Sequence, residues 1–206
     1  MKSHLRQLSR LLPRGTLRFD FPTLQANSSD AWVASSLPDA VAFPKSTAEV
    51  SKILAFTHRH RIPVTTRGAG RGYVGGCVPV QAGLVISLVK MKRILEISAA
   101  DGLAVVQPGV ITAKLGSDAM RRNLFYPPDP ASLKESTLGG NIATNAGGPR
   151  CLKYGVTRNY VLGLEVVLGD GTIVRLGGRT HKNRTGFDLI GLFTGSEGML
   201  GLVTEA

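Results

Sequence analysis

Cysteine is nearly absent: Cys77 and Cys151 are the only two in 206 residues. No C-x-x-C pair exists, which excludes a zinc ribbon and an iron–sulfur ligand set, and no metal site is expected. Two unlinked thiols suit a reducing compartment, so a cytoplasmic location is expected. Long hydrophobic runs are missing too; none approaches the ~20 residues of a membrane span, so no transmembrane segment is expected. Aromatics are only 6%. Acids are few, 14 against 25 Lys plus Arg, for a formal charge of +11. Such a charge attracts polyanions, but there is no helix-turn-helix, zinc-finger or RNA-recognition signature, so nucleic acid is not an expected partner. A basic surface, or a basic groove for a small phosphate ligand, is the expected use of the charge.

What is present is a globular composition, 43% apolar and 19% charged, with glycine in excess. Glycine, 25 residues, is about 12% of the chain against a usual ~7%. The glycines have no three-residue period, which excludes collagen. At the N-terminus Lys2, Arg6, Arg10, Arg14 and Arg18 recur every four residues among Leu5, Leu8, Leu11 and Leu12. A transit peptide has this composition, as does a helix lying on a membrane surface, so peripheral membrane association is the alternative location. Pro13 and Gly15 break the pattern after about three turns. The favoured reading is a short capping helix with a solvated basic face.

The remainder reads as alternating short strands and helices, an α+β class. Residues 1–37 are expected to be that helix followed by irregular polar chain, with order beginning near Pro38. Ala40 to Phe43 is a strand. Ser46 and Glu49 form a capping box ahead of a helical face of Val50, Ile53, Leu54 and Thr57, ending near His60. Val64-Thr65-Thr66, Leu84 to Leu88, Ile94 to Ile97 and Leu103 to Gln107 are strands. Thr112 to about Asn123 is a helix. Val161 to Leu168 and Thr172 to Leu176 flank Gly169-Asp170-Gly171, a hairpin turn. Leu202-Val203-Thr204 is an apolar strand with no stop signal after it, so the sequence reads as a fragment.

Five of the nine residues from Gly68 to Gly76 are glycine. Backbone without side chains lets successive N–H groups approach an anion, so this loop reads as a phosphate or pyrophosphate nest. Gly70-x-Gly72-x-x-Gly75 formally matches the dinucleotide fingerprint, with Glu96 about 20 residues on. The context differs, because residues 77–83 lead into a strand and not into a helix. The loop is expected to bind phosphate with its own N–H groups. A second glycine-rich stretch, Gly139 to Gly148, adds the neutral polar side chains of Asn141, Thr144 and Asn145. The two loops are expected to form opposite walls of a long cleft suited to a dinucleotide.

Five segments then stand in one order: Arg-Gly-Ala-Gly-x-Gly-x-x-Gly-Gly (67–76), Pro-Pro-Asp-Pro (127–130), Gly-Gly-Asn-Ile-Ala-Thr-Asn-Ala-Gly-Gly (139–148), Cys-Leu-Lys-Tyr-Gly-Val-Thr (151–157) and Phe-Thr-Gly-Ser-Glu-Gly-Met-Leu-Gly (193–201). Together they closely resemble the PCMH-type FAD-binding domain of the vanillyl-alcohol-oxidase superfamily. They are most like its glycolate oxidase FAD-linked subunits and D-lactate dehydrogenases.

That resemblance covers about Pro38 to Ala206 and implies two α/β subdomains, 38–100 and 101–206, with FAD between them. By resemblance, Arg67, Gly68, Ala69, Gly70, Arg71, Gly72, Tyr73 and Val74 would wrap the pyrophosphate. Pro128, Asp129, Ser136, Thr137, Gly140, Asn141, Thr144 and Asn145 would lie along the ribityl chain and isoalloxazine. Gly155, Glu197 and Val203 would lie near the flavin or adenine end. Asp118 and Asp188 are expected to be solvated or structural.

The resemblance also implies an oxidoreductase in which hydride passes from Cα of a small 2-hydroxy acid to flavin N5. An electron acceptor or partner subunits would be further partners. Family loops usually carry Thr where Arg71 stands and Ser where Val74 stands. Relatives with covalent flavin use a loop histidine; His4, His58, His60 and His181 all lie outside the loop, so non-covalent FAD is expected. The family's substrate clamp and base come largely from a substrate domain not seen here, so no catalytic residue is assigned, Arg71 and His181 included. The alternative is an FAD-binding module without enzyme activity of its own.

Overall fold

The computed structural model describes all 206 residues. Its first half is built on a four-stranded sheet in the order β1-β2-β4-β3. The strands are β1 (Leu17–Arg18), β2 (Ala40–Ala42), β3 (Val64–Arg67) and β4 (Leu84–Ser87). β2 and β3 lie parallel to β4 on its two sides, and β1 adds antiparallel to β2. A parallel strand covered on both faces reads as a continuous apolar run. β4, Leu-Val-Ile-Ser, is buried at every position.

Helix α3 (Thr47–Arg59) connects β2 to β3 and buries Val50, Ile53, Leu54 and Thr57, the face expected from the 3.6-residue period. Ser46 caps it by accepting from the Glu49 N–H at 3.3 Å. The Glu49 carboxylate reaches one residue beyond a standard capping box and accepts from the Lys45 N–H at 3.0 Å.

For the N-terminal segment the short helix with an exposed basic face is present, and one expectation needs correction. Helix α1 (Lys2–Leu11) exposes Lys2, Arg6 and Arg10, while Leu5 and Leu8 are fully buried and belong to the main core cluster with Leu84 and Ile86. Order begins well before Pro38. β1 pairs with β2, and α2 (Phe21–Ala26) starts at Asp20, whose carboxylate accepts from the Thr23 N–H and hydroxyl.

The second half carries β5 (Ile94–Ser98) and β6 (Leu103–Val106), an antiparallel hairpin. The division at 100/101 expected from the sequence falls in its turn. The remaining strands are β7 (Gly163–Val167), β8 (Ile173–Gly177) and β9 (Leu202–Glu205), ordered β8-β7-β9 and antiparallel throughout. Ala206 exchanges both backbone hydrogen bonds with Val106, which ties β9 to β6. Helix α4 is Thr112–Met120. The short helices α5 (Leu138–Thr144), α6 (Cys151–Tyr154) and α7 (Leu189–Phe193) complete this half.

α5 is a second correction: much of the second glycine stretch is helical, capped by Thr137 and ended by Asn145 in the left-handed conformation. The two halves are joined through one core, since Val167 and Leu202 belong to the same cluster as Val50 and Ile53. Polar links reinforce that contact, with Thr47 donating to Glu165 and Ser51 to the Gly171 carbonyl, both at 2.6 Å.

Candidate cofactor site

A cleft of about 440 Å³ runs between the loop that leaves β3 and the first turns of α5. Residues 66–74 form one wall, Ser136, Thr137 and residues 139–141 the other, and Glu197, Gly198 and residues 201–203, at the start of β9, complete the lining. The two walls touch at Gly68. A Cβ there would stand 2.5 Å from Thr137 Oγ1 and 3.5 Å from the Gly140 Cα and N, so only a glycine lets them meet.

The loop wall is a row of unused donors. From Gly68 to Cys77, the Gly75 N–H alone finds an acceptor in the protein, the Asp30 carboxylate at 2.9 Å. Backbone N–H groups that are shielded from water are nearly always paired in folded proteins. A run of free ones on a half-exposed loop is the donor set of an anion nest.

The opposite wall rests on a buried polar chain. Asn141 Nδ2 donates to Thr112 Oγ1 at 2.7 Å, and Thr112 Oγ1 lies 2.9 Å from Ser136 Oγ. Thr112 is fully buried and Asn141 3% exposed, so the amide is fixed from behind.

Both arginines lining the cleft have partners in the protein. Arg67 Nη1 donates to the Ser29 carbonyl at 2.7 Å and to Cys77 Sγ at 3.3 Å. Arg71 bridges to Glu135 at 2.7 Å, with both side chains about half exposed. Burial pushes the Cys77 thiol up, against the pull of Arg67.

Of the residues singled out from the sequence, Arg67 to Val74, Ser136, Thr137, Gly140, Asn141, Thr144, Glu197 and Val203 line the cleft. Pro128, Asp129, Asn145 and Gly155 do not. Asp129 accepts from the Arg150 N–H at 3.1 Å and pairs with its guanidinium. Asn145 Oδ1 accepts from the Arg158 N–H at 2.9 Å, and Gly155, at φ +88°, stands against the Asn159 side chain. His181 lies along a separate groove between β6 and β7. Asp118 pairs with Lys114 and Arg121, and Asp188 caps α7 and pairs with Arg158. Sequence reasoning missed Cys77, Ser132 and Ser196, all on the cleft wall. Ser196 stands inside a quoted motif and was legible there; Cys77 and Ser132 carry no comparable signal.

An α+β domain with a cleft walled by a row of free backbone donors is the class that fold and site define. The FAD binding domain family matches residues 38–177. The chain belongs to this family, and FAD is its cofactor. It is 53% identical over 171 residues to the glycolate oxidase subunit GlcD of Bacillus subtilis (strain 168), covering 83% of this chain and 36% of that protein. It is 48% identical over 166 residues to the D-lactate dehydrogenase of Archaeoglobus fulgidus, covering 81% and 37%. A D-2-hydroxyglutarate dehydrogenase of Stutzerimonas stutzeri is 40% identical over 202 residues, covering 97% and 43%. The chain thus spans little more than a third of the first two relatives' length and under half of the third's.

Among solved structures, an alkyldihydroxyacetonephosphate synthase superposes with a TM-score of 0.87 at 24% identity, over 100% of this chain and 43% of that one. The α+β class and the superfamily resemblance read from the motifs are borne out. No helix is long and apolar enough to cross a membrane.

Proposed function

We propose that this chain holds FAD non-covalently along the cleft, as the flavin-binding part of an oxidoreductase acting on a small 2-hydroxy acid of the glycolate or D-lactate kind. The observation that carries the reading is the row of free N–H groups from Gly68 to Val74, placed where a pyrophosphate needs donors. Asn141 and Thr144 on the facing wall supply neutral hydrogen-bonding groups for the sugar-like chain and ring edges. Flavin, when bound, supplies the hydride acceptor, and the protein's part is to orient and tune it.

Non-covalent attachment is supported by the absence of a loop histidine. His4 and His60 stack on one another at 4.4 Å, away from the cleft wall. Cys77 is a poor nucleophile, because burial favours its neutral thiol. The proposed two-subdomain organisation, 38–100 and 101–206, puts the glycine loop in the first unit and α5 in the second. A 2-hydroxy acid's carboxylate needs a cation, and both arginines on the cleft wall are engaged elsewhere. The clamp is therefore assigned to groups beyond this cleft, and an electron acceptor or partner subunits complete the proposed set of partners. A reducing, cytoplasmic location is the proposed setting, on its two free thiols.

The test is FAD loading followed by acid precipitation. Yellow cofactor should appear in the supernatant. Flavin retained in the pellet would refute non-covalent attachment, and failure to take up any flavin would refute the placement of FAD in this cleft.

A further inference from the structure

Residues 28–36, outside the matched family region, fold into a small hairpin. Ser29 and Ser35 form an antiparallel bridge, and the Ser36 N–H donates to the Ser28 carbonyl at 2.9 Å. This hairpin grips the glycine loop at three points. The Ser29 carbonyl accepts from Arg67 Nη1 at the loop's start. The Ala31 N–H donates to the Gly72 carbonyl at 3.0 Å in its middle. The Asp30 carboxylate accepts from the Gly75 N–H at 2.9 Å at its end, while its other oxygen accepts from the Trp32 N–H at 2.8 Å.

The middle grip has a directional effect. A trans peptide points its C=O and N–H in opposite directions. Holding the Gly72 carbonyl toward Ala31 therefore turns the Tyr73 N–H away from the hairpin. The end grip consumes the Gly75 N–H and so closes the run of free donors there. Left alone, a loop with five glycines would sample many conformations. Only a fraction of them would present the donors together, and apparent affinity falls in proportion to that fraction.

We propose that Asp30 is a positioning residue for the cofactor. Its carboxylate ties the 28–36 hairpin to the glycine loop and holds the loop in its anion-binding conformation before FAD arrives. This rests on the reading that FAD lies in the cleft. The grip itself is a property of the free chain and is measured separately.

The experiment compares the full chain with Asp30→Ala and Asp30→Asn, which keeps one acceptor oxygen. FAD is titrated into each, and backbone hydrogen exchange is followed with and without FAD. Asp30→Ala should weaken FAD binding by roughly 10-fold or more, as expected for lost hydrogen bonds to a charged group. Asp30→Asn should fall between it and the parent. Exchange across residues 68–77 should quicken in the free variants, while β2 and β4 keep their protection and saturating FAD restores the loop's.

Unchanged exchange of residues 68–77 in free Asp30→Ala overturns the proposal whatever the titration gives. So does FAD affinity equal to the parent's in both variants. Protection lost across β2 and β4 in both would make Asp30 a general structural residue, and overturns it as well. A parent chain that takes up no FAD refutes the cleft reading instead, and the exchange comparison still decides the grip.

Discussion

The contact at Gly68 gives the sharpest test of the cleft. In Gly68→Ala the new methyl would stand 2.5 Å from Thr137 Oγ1, where ordinary contact begins at 3.4 Å, so something must yield by 3.4 − 2.5 = 0.9 Å. Gly68 does not have a positive φ, so the substitution carries no backbone strain and the effect is steric. If Thr137 rotates away, α5 loses its cap, at a cost of about 1 kcal/mol. If the walls part instead, overpacking costs about 1–3 kcal/mol. For a chain of this size each kcal/mol lowers the melting temperature by roughly 2–4 °C.

Moving a loop N–H by ~0.9 Å takes it out of hydrogen-bond range, so one charge-assisted bond to the cofactor is lost. That is worth about 1.5–3 kcal/mol, or roughly 10- to 150-fold in FAD affinity. The assay is a titration of FAD by fluorescence quenching, paired with thermal melts of the cofactor-free chain. Thr137→Ala removes the colliding oxygen, so Gly68→Ala should cost clearly less in that background than alone. Equal costs in the two backgrounds, or Gly68→Ala with the parent's affinity and melting temperature, would refute the close approach of the walls.

Gly70→Val should abolish FAD binding, through Arg67 and backbone strain: Gly70 has φ +71°, and its Cβ would collide with the Arg67 guanidinium; parent affinity in a titration would count against this. Leu8→Ala should lower stability by about 2–5 kcal/mol in urea unfolding, whereas a freely solvated helix would lose almost nothing. Thr23 and Arg18 hold the Asp20 carboxyl down to about 2, so its stabilisation is complete above the ordinary carboxylate range and disappears as pH falls through about 2. The melting-temperature gap between the parent and Asp20→Ala should accordingly shrink between pH 5 and pH 2. The FAD-loaded chain should not be reduced within seconds by millimolar glycolate or D-lactate under anaerobic conditions, because the two cleft arginines already hold partners, Ser29 and Cys77 for Arg67 and Glu135 for Arg71; rapid bleaching of the flavin would overturn that.

The central sheet was legible because its elements follow simple periods. α3 shows its buried face at i, i+3 and i+4, and β4 is an unbroken apolar run. The N-terminal segment was harder. A two-residue strand such as β1 has no period to detect, and its pairing with β2 is settled only by tertiary contact. α2 did carry a readable signal, Asp20 two residues before Pro22 at the helix start.

α5 was hidden by Gly139 and Gly140, which oppose helix formation locally. Gly139 pays for that elsewhere, since a Cβ there would stand 2.5 Å from that of Pro108. The glycine loop announced itself by composition. Its partner Asp30, one acid in a polar stretch, had nothing to mark it until the hydrogen bonds were seen.

The main core cluster draws on both ends of the chain, from Leu5 and Leu8 to Leu202. That has a consequence for biosynthesis. These residues are 202 − 5 = 197 positions apart, which at roughly 5–20 residues per second separates their synthesis by about 10–40 s. By Met91 every other member of the cluster has been made, yet until Val167 and Leu202 follow the cluster lacks the two residues that β7 and β9 contribute. Contacts this distant in sequence form late and slow folding. The nascent chain therefore carries a nearly complete core with one side open until its last strands are made, and Val167 and Leu202 close it late.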